Sequence, residues 1–143
     1  MQTRTPEEAI DVLRKEGNRI TAARAAIVGA VLTAQSPVSV QEVSAALAAS
    51  KVPANVTTVY RELEFLRENG VVVPVSFADG VQRYESADLG HHHHLVCVEC
   101  ERIQDVEVPH AELHEAEKRI EKSHGFTVMQ HSLEFYGRCG ECR

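Results

Sequence analysis

The sequence predicts an α+β fold in two parts. Three observations carry that expectation. Through residue 70, apolar side chains recur at helical spacing behind capping residues. Two β-rich runs then flank a turn at Ala78-Asp79-Gly80. Beyond residue 90, strand-like and helical segments alternate between two Cys-x-x-Cys pairs. With 143 residues the chain makes one compact domain or two small ones. A chain of this length buries roughly two-thirds of its unfolded surface, whereas two halves would each be marginal and lean on metals or a partner subunit.

Thr5-Pro6-Glu7-Glu8 reads as a helix start: Thr5 caps, Pro6 suits the first helical position, and Glu8 closes a capping box. Gly17 ends that helix. Thr21 caps a second, with Ile27 and Val31 on its apolar face, and Gln35-Ser36-Pro37 breaks it. Ser39 and Glu42 form another capping box, opening a helix to about Ala49. Asn55 caps the fourth, in which Val56, Val59, Leu63 and Leu66 form one buried stripe, and Gly70 stops it. VVVPVSF and VQRYES then make a hairpin. Three helices, a long helix and a hairpin read as a winged helix-turn-helix.

In the second half RIQDVEV is strand-like, and residues 109–123 are helical with Leu113, Ala116 and Ile120 facing inward. FTVMQHSLEFYG holds one or two strands.

Composition is that of an ordinary globular protein, with 43% hydrophobic and 25% charged residues. No apolar run approaches the roughly 20 residues that cross a bilayer, and MQTRTPEEAIDVL lacks the basic and apolar regions of a secretion signal. The expected location is the cytoplasm, with no membrane partner. The net charge of −6 looks wrong for a nucleic-acid binder, but its distribution matters more than its total. Residues 91–143 carry −4, while the segment 14–61 carries +4. Thr57, Thr58, Tyr60 and Arg61 fall off the apolar stripe at the start of the fourth helix. Small hydroxyls, a phenol and an arginine there suit phosphate and base-edge contact in a major groove. Double-stranded DNA is therefore the expected partner.

Cys97, Cys100, Cys139 and Cys142 are the only cysteines. Two C-x-x-C pairs suit a tetrahedral thiolate zinc site, and disulfides are improbable in a reducing compartment. Zinc would pin the end of the chain back onto a strand hairpin. Ahead of the first pair stand His91, His92, His93 and His94. In extended chain, side chains alternate faces. His91 and His93 therefore point one way, and His92 and His94 the other, so four consecutive histidines can serve two sites. One face could meet Glu85 and Asp105, a mixed nitrogen and oxygen set that suits Fe2+, Mn2+ or Zn2+. The other could meet His114 and His131, a nitrogen-rich set that suits zinc, nickel, iron or copper. His110 and His124 read as surface or capping residues.

These features together resemble the ferric uptake regulator family. The residues that carry the resemblance are Thr21 to Arg24, Thr58-Val59-Tyr60-Arg61, His91 to His94 with Leu95-Val96-Cys97 and Cys100, His131-Ser132-Leu133, Tyr136-Gly137, and the last cysteine pair. They span nearly the whole chain, in order. The resemblance implies a winged-helix DNA-binding domain over 1–85, a hinge at about 85–91, and an α/β dimerisation domain over 86–143 in a homodimer. It implies structural Zn2+ on the four cysteines and a regulatory hinge site of Glu85, His92, His94 and Asp105. It implies a second site of His91, His93, His114 and His131. Other members commonly have carboxylates where this chain has His93 and His114, and Glu112 or Glu115 is an alternative to His114. Lys15, Arg19, Arg24, Thr57, Tyr60 and Arg61 are the expected DNA contacts.

The resemblance also implies a repressor with metal as co-repressor: metal selects the arrangement in which two heads match successive major grooves. A histidine that many members supply to the hinge site from the DNA-binding domain falls here on Pro37, which cannot ligate. With no cysteine to spare for sensing, Fe2+ or Mn2+ is favoured as the regulatory metal. The nitrogen-rich second site keeps Zn2+ or Ni2+ open, and Asp105 resembles the peroxide-responsive members. An enzyme is not expected: a zinc hydrolase needs an open coordination position and a placed base, and HExxH is absent. No small organic substrate is expected either. A metal-storage module would leave the basic segment beside the capped fourth helix unexplained.

Overall fold

The computed structural model describes residues 3–143 and divides the chain into two compact units, one ending at Gly90 and one spanning His91–Arg143. The first unit begins with α1 (Pro6–Lys15), α2 (Ala22–Leu32), a short β1 (Val38–Ser39), α3 (Val40–Ala49) and α4 (Val56–Glu68). It closes with β2 (Val72–Ser76), β3 (Gln82–Ser86) and a 3-10 turn at Ala87–Leu89. Its caps are those that the sequence predicts. Both capping boxes close: Thr5 N–H donates to Glu8 Oε2 at 2.8 Å, and Ser39 N–H donates to Glu42 Oε2 at 2.7 Å. Asn55 accepts from the amide of Thr58 at 2.8 Å. Each bond satisfies an amide that the helix itself cannot.

The helices bury a shared core in which Leu13, Ile27, Val28, Val59, Leu63 and Leu66 are wholly inaccessible. Val56 does not join it. It is 52% exposed, because a first-turn residue lies at the rim of the helix face that the core covers.

The wing is a three-stranded sheet in the order β1-β3-β2. Edge position suits Pro74, which pairs with Tyr84 and has no N–H to give. At the turn, Gly80 sits at φ 72°, and Asp79 accepts from the amide of Val81. β1 was not expected from sequence. It is two residues long and exists because Pro37 ends the preceding loop, leaving Val38 to pair with Tyr84.

The second unit is a sheet in the order β5-β4-β6, from β4 (His93–Cys97), β5 (Ile103–Val106) and β6 (Glu134–Gly137), with α5 (His110–His124) in the connection between β5 and β6. β4 runs antiparallel to β5 and parallel to β6. A parallel pair cannot be joined by a tight turn, so the chain crosses through α5. The stretch from Phe126 forms a single strand. Ile120 was expected inward but is 47% exposed, and α5 has no buried residue. The mixed α and β composition and the winged helix agree with the expected fold class. Among the described residues, no helix is long and apolar enough to cross a membrane.

Candidate metal centres and the helix of the winged domain

β4 carries the metal-type chemistry of the second unit. Its neighbour at the C-terminal end is the cysteine group. Cys97 closes β4, Cys100 follows one turn later, and Cys139 and Cys142 come from the turn after β6. The four sulfurs lie within 4.8 Å of one another, and no disulfide joins them. Cys100 Sγ and Cys139 Sγ are 3.8 Å apart. Tetrahedral zinc with arms of about 2.3 Å holds its sulfurs about 3.8 Å apart, so the donor set fits the ion. Amides of Cys100, Cys139 and Glu99 aim at Cys97 and lower its thiol to about 6. Cys142, hydrogen-bonded to the sulfurs of Cys139 and Cys100, is pushed up to about 12. That is the behaviour of thiols crowded to share charge, which a dication relieves by displacing the last protons. Arg102 pairs with Glu141 at 2.6 Å and Arg138 with Glu99 at 3.0 Å. The two knuckles are thus cross-tied in both directions, although exposed pairs add little energy each.

The histidine run alternates as extended chain must. On one face His92 Nε2 and His94 Nε2 are 3.2 Å apart. Asp105 Oδ1 lies 3.8 Å from the first and 3.7 Å from the second. Asp105 is there because it pairs with His94 across β4 and β5. Two imidazole nitrogens and a carboxylate oxygen at these separations match a shared cation with arms of about 2.0–2.1 Å. Glu85, the remaining expected ligand, lies buried on β3 of the first unit, paired with Val73. Pro37 is buried immediately before β1.

On the other face, His91, His93 and His131 place one ligand nitrogen each within 4.8 Å of the others. His91 Nε2 and His131 Nε2 are 2.8 Å apart. His93 is 2% exposed, and its Nε2 is buried without a hydrogen-bond partner. Leu133 backbone holds a hydrogen bond to the same ring. An orphaned buried nitrogen is rare, and a metal is the partner this one fits. Burial first, then the neighbouring imidazoles, lower both His91 and His93. Neutral rings are the ligating form.

His114 does not join this group. Its side chain is 62% exposed on α5, with Nδ1 3.6 Å from Glu117. Glu117 takes the inner position: its Oε1 is 2.6 Å from His131 Nδ1, which turns the other nitrogen toward His91. Carboxylates behind ligand histidines orient and strengthen them. Glu117 was not expected from the sequence, either as ligand or as support. The signal was present, since Leu113, Ala116, Glu117 and Ile120 share one helical stripe, and a carboxylate on an apolar stripe needs a partner. Glu112 and Glu115 are both exposed.

Of the expected DNA contacts, Thr57, Tyr60 and Arg61 are exposed on the first turns of α4, and Lys15 and Arg19 are exposed near the end of α1. Arg24 is placed otherwise. Its Nε donates to Glu62 at 2.7 Å, its Nη1 donates to the Arg19 carbonyl at 2.8 Å, and its guanidinium lies 3.6 Å from the Phe65 ring centre. It locks α2 to α4 instead of facing outward. Arg24→Ala should lower the stability of the first unit by about 1–3 kcal/mol, read by urea denaturation. Unchanged stability would return Arg24 to the DNA-contact set.

The model of the ferric uptake regulator family matches residues 15–136. A peroxide-responsive repressor, PerR, of Staphylococcus epidermidis is 32% identical over 137 residues, covering 96% of this chain and 89% of the relative. The ferric uptake regulator of Helicobacter pylori, described with three functional metal-binding sites, has a similar structure. Its TM-score is 0.80 at 22% identity, over 99% of this chain and 97% of that one. The ferric uptake regulator of Pseudomonas aeruginosa, solved with manganese, gives 0.66 at 30% identity, over 92% and 98%. With the winged helix, the four-cysteine group and the two-faced histidine strand, the match over most of its length shows that the chain belongs to the ferric uptake regulator family of metal-responsive transcriptional regulators.

Proposed function

We propose that this chain is a homodimeric repressor that binds operator DNA through α4 when Fe2+ or Mn2+ occupies the His92, His94 and Asp105 face of the histidine strand. The observation that carries this is the convergence of two imidazole nitrogens and a carboxylate oxygen on that face. On the family resemblance, Glu85 completes the set. The hard carboxylates favour Fe2+ or Mn2+ over softer ions. Zn2+ on the four cysteines is the resident structural ion. Exposed Phe126, Met129 and Ile120 support pairing with a second copy, because a single small unit seldom leaves so much apolar surface to water.

The test is DNA binding by the zinc-loaded protein, under anaerobic conditions, to a site selected from a random pool. Fe2+, Mn2+, Zn2+ and Ni2+ are added at buffered concentrations. Activation by Fe2+ or Mn2+ alone, with cysteine-bound zinc retained, is expected, and a response to none of the four overturns the reading. Arg61→Ala should weaken binding by about 1–3 kcal/mol, and a phosphate contact would also reduce the salt slope by about one. Unchanged affinity removes Arg61 from the interface.

A second reading is favoured by Asp105 and by the relatives named as peroxide-responsive repressors. In that case the Fe2+ form, but not the Mn2+ form, loses DNA binding after brief exposure to hydrogen peroxide. A ligand histidine then carries an added oxygen by mass spectrometry.

A further inference from the structure

We propose that His110 is the fourth ligand of the second centre, making it a site of four imidazoles, His91, His93, His110 and His131, selective for Ni2+ or Zn2+ over Mn2+. The inference rests on the reading of His91, His93 and His131 as a metal centre, and it names the residue that completes it.

The geometry points to His110 because its ring lies 5.4 Å from that of His91. The other ring pairs at the centre are 4.7 Å (His91 and His93), 4.5 Å (His91 and His131) and 5.2 Å (His93 and His131). Imidazoles that share one ion through bonds of about 2.1 Å have ring centres about 4.6–5.3 Å apart, depending on the angle at the metal. The three pairs among His91, His93 and His131 sit in or at the edge of that range, and the pair of His91 with His110 lies just beyond it.

His91, His93 and His110 also line one open cavity of about 370 Å³, with Glu107 and Pro109 on its rim. Pro109 turns the chain from β5 into α5 and leaves His110 as the first helical residue, on the cavity side. The ring is exposed and stands outside the group of His91, His93 and His131 whose ligand nitrogens already converge, so binding requires the His110 side chain to turn toward the ion. The buried Nε2 of His93, without a partner, shows that the centre has an unfilled demand for one.

The donor set decides the metal. Carboxylate and water suit Mn2+, whereas imidazole suits zinc and nickel, and affinity for nitrogen rises from Mn2+ to Ni2+. Glu117 hydrogen-bonds to the far nitrogen of His131 and supports the ring instead of binding the ion. Among the described residues no carboxylate belongs to the group of His91, His93 and His131 itself, and Glu107 stands on the cavity rim, so the strand would carry a hard-metal site on one face and a nitrogen-rich site on the other.

The experiment uses the full-length, zinc-loaded protein carrying His92→Ala and His94→Ala, which leaves the second centre as the one histidine site to be probed. Ni2+ is titrated by competition with a chromophoric chelator, and X-ray absorption counts the imidazoles bound. The expected parent binds one Ni2+ per protomer with four imidazoles. His110→Ala should lose at least about tenfold in Ni2+ affinity and one imidazole from the count, while His114→Ala keeps both. Ni2+ affinity within twofold of the parent for His110→Ala, with His93→Ala still abolishing binding, overturns His110 alone. A parent that binds no Ni2+, or that binds it equally with His93→Ala, overturns the metal centre itself. Because His110 is exposed, melting of the metal-free variants serves as the folding control, and equal melting is expected.

Discussion

Cys142→Ser should unfold the second unit while the first remains folded. Among the described residues of the second unit, the buried side chains are His93, His94 and Cys97. Two imidazoles and a thiol are no hydrophobic core. α5 buries nothing fully, and Phe126 and Met129 lie open at 63% and 88% exposure. A unit of this size without a core depends on a metal or a partner. Structural zinc supplies roughly 10–16 kcal/mol of apparent binding free energy to small domains, more than any other interaction available here. Cys142 is far from the rest in sequence, so its loss also frees the C-terminal knuckle from β4. The first unit keeps a core that includes Leu13, Ile27, Leu47 and Leu63. The expected result is a zinc-free protein that loses part of its far-ultraviolet circular dichroism, retains one cooperative melt, and sediments as a monomer. A zinc-free variant with the full spectrum and unchanged sedimentation would show that the knuckle is dispensable.

How much of this was legible in the sequence follows from how local each signal is. The caps Thr5, Thr21, Ser39 and Asn55 act within three residues, so their identity and spacing predict their bonds, and all four accept the amides expected of them. The alternation of His91 to His94 is equally local. What the sequence could not settle is which distant residue meets each face. Asp105 reaches His94 because the strands pair in one register, and a register rests on the whole hairpin. On α5 it is Glu117 and not His114 that reaches His131, because the phase of the helix is set by where the crossover lands. Arg24 was read as a DNA contact from its charge and its place in a basic segment. Its real environment depends on Glu62 and Phe65, both on a helix some forty residues away. Ile120 was placed inward from its periodicity, which gives the face of a helix but not whether anything in the same chain covers it.

His94→Ala should abolish the gain in DNA affinity that metal confers, whereas His91→Ala should keep most of it. His94 lies within β4 and His91 two residues ahead of it, so the pair separates the two faces within one four-residue run. His94 is 5% exposed, with Nε2 3.2 Å from His92 and 3.7 Å from Asp105. Removing it takes away one of the three converging donors. An allosteric ligand changes affinity at a second site by typically 5–150-fold, and that factor is what His94→Ala should lose, leaving the metal-free affinity unchanged. Linkage demands the reverse as well: operator DNA must tighten metal binding in the wild type by the same factor, and must not do so in His94→Ala. Glu85→Ala serves as the second arm. If Glu85 belongs to the regulatory set, it behaves as His94→Ala does; if the gain survives, His92, His94 and Asp105 suffice without it. Should His91→Ala instead lose the gain and His94→Ala keep it, control of DNA binding belongs to the nitrogen-rich face, and the metal that regulates this protein is the one that imidazole donors prefer.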